Sequence, residues 1–292
     1  MTSPWRILDF CDFHGRVTAG KGFLKADGQS VALVDIAVVL IGVDVDLHSS
    51  VFDRAAAFSF PILHCDWRNV PIAVTWPWST NTRVAARHLA QAEMEAPKQK
   101  NAWMRIVKAK IAGQSFNLRN DREGSLYLTN LVSKVRSGDP SNCEGQAARY
   151  YWRRLYNDKA FRRIPGSLSS VNGMLDYGYT ILRGTVVRSI LSAGLWPTLG
   201  VWHRNRSNVF ALADDLIEPF RPAVDAVVAK IVLRTTTLDR EGKRDLVQVL
   251  DSSFTPSGYT VTTELNRIAQ NFARYAEGID RVLEVPKFSH EA

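Results

Sequence analysis

The stretch PIAVTWPWSTNTRVAARHLAQAEME, Pro71 to Glu95, changes period in its middle. Its opening, PIAVTW, is short, branched and aromatic, as a strand is. PWSTNT, Pro77 to Thr82, crowds turn formers together and reads as a joint. From Val84 to Glu95 the apolar residues recur at helical spacing.

Working outward towards the N-terminus, the runs WRILDF, RVTAG, FLKA, SVALV, IAVVLIG and PILHC read as further strands, most of them broken by glycines. Asp27-Gly28 sits between two of them, a hairpin signal. One short helix, Ser50 to Phe58 with a serine cap, interrupts the series. Towards the C-terminus the helical period continues. Lys100 to Gln114 carries Trp103, Ile106, Val107, Lys110 and Ile111 on one side and basic residues on the other. Further helices are expected over Leu126–Val135, Ser141–Asn157 and Val171–Ala193, the last stopped by Gly194. Val209–Ile217 runs into a segment restarted at Pro219, and Asp239–Leu250 and Thr262–Ile279 complete the set. The expected class is α+β: a β-rich, sandwich-like N-terminal domain over residues 1–78, a linker over 79–83, and a larger helical domain over 84–292.

Composition narrows the function. The chain has 292 residues, 46% apolar and 23% charged, so it builds a large core and is neither disordered nor collagen-like. The excess of 37 Lys and Arg over 29 Asp and Glu, +8, points to a polyanionic partner, most commonly nucleic acid. Cys11, Cys65 and Cys143 are odd in number and widely spaced, against a disulfide framework or a Cys-rich zinc site and in keeping with a reducing, cytoplasmic setting. The opening MTSPWRILDFCDFHGR lacks the basic start and apolar run of a signal peptide. The most apolar stretch, Val31 to Val43, is too short to span a bilayer and contains Asp35. No GxxxxGK[ST] loop, strand-borne GxGxxG or internal repeat is present.

Three places carry chemistry. In SNCEGQAARYYWRRLY, Ser141 and Glu144 have the spacing of a capping box, and the same glutamate has the placement of a metal-ligating carboxylate at a helix start. Gly145 leaves room beside it for a backbone or a ligand, and Arg149, Arg153 and Arg154 follow, able to hold phosphates or to form a solvated face. In NVFALADDLIEPFRP, Val209, Leu212, Ala213, Leu216 and Phe220 make an apolar stripe, with Asp214, Asp215 and Glu218 largely on another face. Asp215 and Glu218 are neighbours whose repulsion a divalent cation, Arg204, Arg206 or Arg221 could offset; a solvated acidic face is the plainer alternative. In LWPTLGVWHRNRSN, His203 sits in a Gly- and Pro-bearing loop. His14, His48, His64, His88 and His290 form no i, i+4 metal pair and receive no role. Two or three carboxylates with one imidazole suit Mg²⁺ or Mn²⁺ better than zinc, and a hard cation beside a basic surface suits phosphodiester chemistry.

At these residues the chain resembles the CRISPR-associated spacer-acquisition endonuclease, the integrase subunit of bacterial adaptive immunity. EGQAARYYW resembles the family's glutamate block, VNGMLDYGYTILRG (Val171–Gly184) its central helix, LWPTLGVWHRNRSN its histidine loop, and DDLIEPFRPAVD (Asp214–Asp225) its acidic block. QKNAWMRIVKAKIAGQ (Gln99–Gln114) is similar to the version found beside single-protein, RNA-guided effector nucleases, and the ILHCDWRNVP turn also fits. The start departs from the pattern, with FHGRVTAGKG (Phe13–Gly22) where the family has a plainer strand.

The resemblance implies that Glu144, His203 and Glu218 ligate Mg²⁺ or Mn²⁺ and that Asp215 supports them from behind, while the +8 charge and the series Arg149, Arg153, Arg154, Lys159, Arg162 and Arg163 predict mainly electrostatic contact with DNA. It implies strand transfer, in which the 3′-hydroxyl of a captured fragment attacks a phosphodiester at the edge of a CRISPR repeat, with no covalent protein nucleophile. The implied partners are double-stranded DNA, a second copy met through the β-rich domain, a small ferredoxin-like protein and the effector nuclease. The alternatives are a branched-DNA repair nuclease acting without a partner and a DNA-binding scaffold with a degenerate site.

Overall fold

The computed structural model describes residues 6–69, 71–77, 82–167 and 170–289. Most of the expected joint, residues 78–81, and with it most of the 79–83 linker, lies outside the described residues, as does His290.

Among the described residues eight strands precede the joint: β1 (Arg6–Phe10), β2 (Gly15–Ala19), β3 (Phe23–Ala26), β4 (Gln29–Ala32), β5 (Ile36–Ile41), β6 (Val45–Leu47), β7 (Ile62–Cys65) and β8 (Pro71–Thr75). They form two four-stranded sheets, one ordered β1-β5-β7-β8 and the other β4-β3-β2-β6. In the first, β1 and β7 flank β5 in parallel and β8 closes antiparallel. Asp27 and Gly28, both at positive φ, turn β3 into β4 as the sequence predicts. Within the divergent start, β2 pairs with β3 and, in parallel, with β6, a strand that the sequence reading does not anticipate. The expected helix is α1 (Ser49–Phe58), but its cap is His48, whose Nδ1 accepts from Ser50 N at 3.1 Å, rather than a serine.

β5 explains how the sheets meet the helices. All six of its residues are buried, the continuous apolar pattern of a strand covered on both faces. Ile36, Val39 and Ile41 pack with Phe60, Ile62 and Val51 between the two sheets. Val38 and Leu40 point the other way and, with Leu63 and Cys65, join the core of the helical part.

The helices are α2 (Val84–Ala92), α3 (Ala96–Asn117), α4 (Arg122–Lys134), α5 (Cys143–Leu155), α6 (Ser170–Ser192), α7 (Ala211–Ile217), α8 (Arg221–Ile231), α9 (Arg240–Gln248) and α10 (Val261–Ala276). A 3₁₀ turn, Glu218–Phe220, joins α7 to α8 and carries the expected Pro219 restart. α6 lies on β5: Arg188 Nη1 donates to Ile36 O at 2.5 Å and Nη2 to Phe58 O at 3.3 Å. α3 runs through the centre, touching α4, α5, α8 and the 3₁₀ turn. Among the described residues no helix is long and apolar enough to cross a membrane.

Candidate active site

Glu144 enters the site from the first turn of α5, and the way that turn is closed decides where its carboxylate goes. The Ser141–Glu144 capping box is not formed. Asn142, at φ 48°, is the cap, and its Oδ1 accepts from Gly145 N at 3.0 Å. Asp139 accepts from Cys143 N and Glu144 N, both at 2.9 Å. With the orphan N–H groups satisfied by Asn142 and Asp139, the glutamate has no cap to make. Gly145 serves that cap rather than a ligand: a Cβ there would meet Asn142 Oδ1 at 2.6 Å. The Glu144 side chain reaches across to α3, where Lys110 Nζ donates to its Oε1 at 2.6 Å.

Glu218 meets the same lysine from the other side. Lys110 Nζ is 2.5 Å from Glu218 Oε2, and Arg221 Nε is 2.9 Å from Glu218 Oε1. Glu218 Oε2 is buried against the Lys110 ammonium, and its Oε1 against the Arg221 guanidinium. The solvated acidic face is therefore corrected. Asp214, Asp215 and Glu218 are 8%, 0% and 4% exposed, because the segment is wrapped by α3 and α6 as well as by its own loop. Of the cations named from sequence, Arg221 offsets Glu218, while Arg204 donates to Gln99. Arg183, on α6, takes Asp214. Burial presses the Glu218 carboxyl upward, and the Arg221 and Lys110 charges overcome it, so its net shift is downward. Burial likewise works against the Lys110 ammonium, and Glu218 and Glu144 hold it protonated, above the usual lysine range. Two largely enclosed cations thus balance two carboxylates; removing one member would leave a charge unpaired, at a cost of up to about 3–5 kcal/mol.

His203 is placed by Asp215. Asp215 Oδ2 accepts from Val201 N at 2.5 Å and Trp202 N at 2.9 Å, and Oδ1 from His203 N at 3.3 Å. The same Oδ1 lies 2.5 Å from His203 Nδ1. The loop closes this tightly because residue 200 is glycine: a Cβ there would be 2.9 Å from Asp215 Oδ2. Trp103 meets the imidazole edge-on at 5.8 Å and stacks flat against Trp202 at 5.6 Å. The hydrogen bond to Asp215 raises the His203 pKa, and the side chain is 42% exposed. With Nδ1 committed, Nε2 is the ring nitrogen left for a ligand.

Sequence reasoning assigned no role to Lys110 or Asp225. Lys110 did carry a signal: a cation on the apolar face of α3, among Trp103, Ile106, Val107 and Ile111, needs a buried anion. Asp225 lies one turn after Arg221 on α8 and is buried; Tyr151 donates to Oδ2 at 3.1 Å and Tyr179 to Oδ1. Burial pushes its carboxyl up to about 7 against those two hydrogen bonds. The Arg221 guanidinium lies 4.4 Å from the Tyr179 ring centroid, which joins this pair to the site.

The basic series divides. Arg154 pairs with Asp121 at 2.7 Å and Glu123 at 3.0 Å, and Arg163 pairs with Asp176. Arg149, Arg153 and Arg162 are exposed and line a cleft of about 480 Å³ that also reaches Lys110, Glu218 and Asp225. Arg149 and Arg153 extend into a second hollow of about 700 Å³ with Tyr127, Tyr150 and Lys159.

Among the described residues no three His, Cys, Asp or Glu side chains converge closely enough to hold a metal as they stand. The donor chemistry nevertheless fits a hard divalent cation. Glu144 and Glu218 already share one cation, the Lys110 ammonium, and the Glu218 charge also acts on the anchored imidazole of His203.

A family model described as CRISPR associated protein Cas1 matches residues 23–249, well over half of the chain. A CRISPR-associated endonuclease Cas1 of Neisseria meningitidis serogroup C (strain 8013) is 34% identical over 208 residues, spanning 70% of this chain and 67% of that one. In fold, the chain is similar to a casposase bound to integration product, with TM-score 0.75, 21% identity, and coverage of 98% of this chain and 94% of that one. It is also similar to a chain of a partial Cas6-RT-Cas1–Cas2 complex, with TM-score 0.62, 19% identity, and coverage of 97% and 98%.

Proposed function

This chain belongs to the CRISPR-associated Cas1 family, and from that premise we propose that it is a metal-dependent DNA integrase that inserts captured fragments into a CRISPR array. One observation carries the reading. Glu144 from α5 and Glu218 from the α7–α8 turn meet at a single cation, Lys110, and Lys110 and Glu218 line an arginine-bordered cleft, while the Glu218 charge also acts on a His203 fixed by Asp215.

In this reading Glu144, His203 and Glu218 hold Mg²⁺ or Mn²⁺. When bound, the ion lowers the pKa of an attacking 3′-hydroxyl and offsets charge on the phosphorane-like transition state. The protein supplies the rest. Asp215 fixes the His203 ring and its tautomer, as carboxylates behind histidine ligands do. Arg149, Arg153 and Arg162 hold backbone phosphates in the cleft and set the register of the strand without reading its sequence. Arg221 balances Glu218, and Asp225 stands behind it through Tyr179. No side chain forms a covalent bond to DNA. The partners are double-stranded DNA, a second copy met through the β-rich part, a small ferredoxin-like protein, and the RNA-guided effector nuclease.

The test is integration into a supercoiled CRISPR plasmid by purified protein, the small partner and a DNA fragment, with Mn²⁺ or Mg²⁺. Glu144→Ala, His203→Ala and Glu218→Ala are each expected to abolish product while circular dichroism stays native. Near-normal product from any of the three removes that residue from the site. Full cleavage of branched DNA with no integration and no response to the small partner would favour a repair nuclease.

A further inference from the structure

Lys110 stands where the proposed ion belongs. Its ammonium is 2.6 Å from Glu144 Oε1 and 2.5 Å from Glu218 Oε2. A divalent ion between those carboxylates would share the space with two existing cations, Lys110 and Arg221, and like charges this close repel. One of them must give way. Arg221 is tied at two points, its guanidinium 4.4 Å from the Tyr179 ring centroid and its Nε 2.9 Å from Glu218 Oε1. Lys110 is a compact charge on a flexible four-carbon stem, the kind of cation that can swing.

The structure also offers it somewhere to go. Gln114 lies one turn further along α3, on the same face of the helix as Lys110. Gln114 Oε1 is buried and accepts no hydrogen bond among the described residues. Both side chains line the cleft of about 480 Å³. An unused acceptor beside an ammonium that must leave is an arrangement with two settings.

We propose that Lys110 is a displaceable counter-ion: it holds Glu144 and Glu218 together in the metal-free protein and yields their shared position to the divalent ion, its ammonium passing to Gln114 Oε1. This rests on the metal-site reading above and adds to it a residue that sets metal affinity from inside the site. Folding does not need the metal, because the lysine neutralises the carboxylates until the ion arrives, and the ion binds less tightly than it would to two bare carboxylates.

The experiment titrates the full-length protein with Mn²⁺ as probe, following free Mn²⁺ by electron paramagnetic resonance and metal-free stability by thermal unfolding. Lys110→Met should bind Mn²⁺ about tenfold more tightly, the lower end of what groups around a metal contribute, and should melt below wild type without metal. Gln114→Leu removes the waiting acceptor and should bind Mn²⁺ more weakly, with a metal-free melting point equal to or above wild type. Should Lys110→Met fail to fold, the Gln114→Leu affinity decides alone. Wild-type binding that Glu218→Gln abolishes, together with unchanged affinity in Gln114→Leu or unchanged or weaker affinity in Lys110→Met, overturns the displacement and leaves the metal site standing. A wild type that binds no Mn²⁺, or a Glu218→Gln variant that binds it normally, overturns the metal site and this inference with it.

Discussion

Asp215 commits both carboxylate oxygens to the loop that carries His203, whereas Glu218 aims both of its own at cations. That difference separates two residues only three positions apart. Asp215→Asn is expected to keep part of the activity, losing about 10–100-fold in metal affinity as groups behind a ligand do. Glu218→Gln should lose more. The check is the Mn²⁺ dependence of strand transfer for both variants; if Asp215→Asn is as inactive as Glu218→Gln at saturating Mn²⁺, then Asp215 binds the metal itself. Asp225 makes a different prediction. Its carboxyl is raised from 3.8 to about 7 in the fold. Between those values the folded protein holds a proton that the unfolded chain releases, so this group's stabilising contribution is complete below the lower value and is lost as pH rises through about 7. The slope approaches about 1.4 kcal/mol per pH unit inside the window. Asp225→Asn, which cannot ionise, should flatten it in denaturant titrations at a series of pH values; an unchanged slope assigns the effect elsewhere.

α5 is the element that joins ligand to DNA, presenting Glu144 at its start and an arginine ridge along its length. Its start depends on Asn142 in a left-handed conformation. Asn142→Ala loses the cap and strains the backbone, and is expected to cost about 1–2 kcal/mol, whereas Asn142→Gly should cost only a few tenths; equal losses in chemical denaturation would count against the cap. Along the ridge, Arg149 and Arg153 line both hollows and form no ion pair among the described residues, while Arg154 holds Asp121 and Glu123. For Z phosphate contacts the log–log salt slope of duplex binding is about −0.9Z. Arg149→Glu with Arg153→Glu should flatten it, and Arg154→Glu should act mainly on stability; affinity flat between low and moderate salt would remove the electrostatic account. The same helix shows what the sequence could and could not disclose. Its span and the candidate Glu144 were legible, because periodicity and an acid at a helix start are local. The cap was misread, because Ser141 and Asn142 both suit that place and Asp139 takes the remaining N–H groups. Lys110 and Asp225 lacked roles because their partners are far along the chain: 34 residues separate Lys110 from Glu144, and 74 separate Tyr151 from Asp225. The acidic segment looked solvated because one face of a helix reveals nothing of what packs on the other.

The molecule as a whole is held together at β5. The alternation that sends Val39 and Ile41 into one core and Val38 and Leu40 into the other makes a single strand a wall of both. Arg188 adds backbone contacts from α6 to the strand and to the end of α1. The amides of β5 and of α6 are therefore expected to exchange with solvent through one common opening, at the same free energy in native-state hydrogen exchange. A lower opening energy for β5 alone would show that the strands come apart first. The change of period near residue 80 thus marks a change of secondary structure but leaves no clean seam beneath it. That bears on how such a chain can be recombined. A chimera that exchanged the strand-rich portion for a relative's would import a new set of side chains at positions 38, 40, 63 and 65 against an α6 surface tuned to the old ones. Inheritance at this boundary should run in matched pairs, with the surface of one helix travelling alongside the strand that it covers.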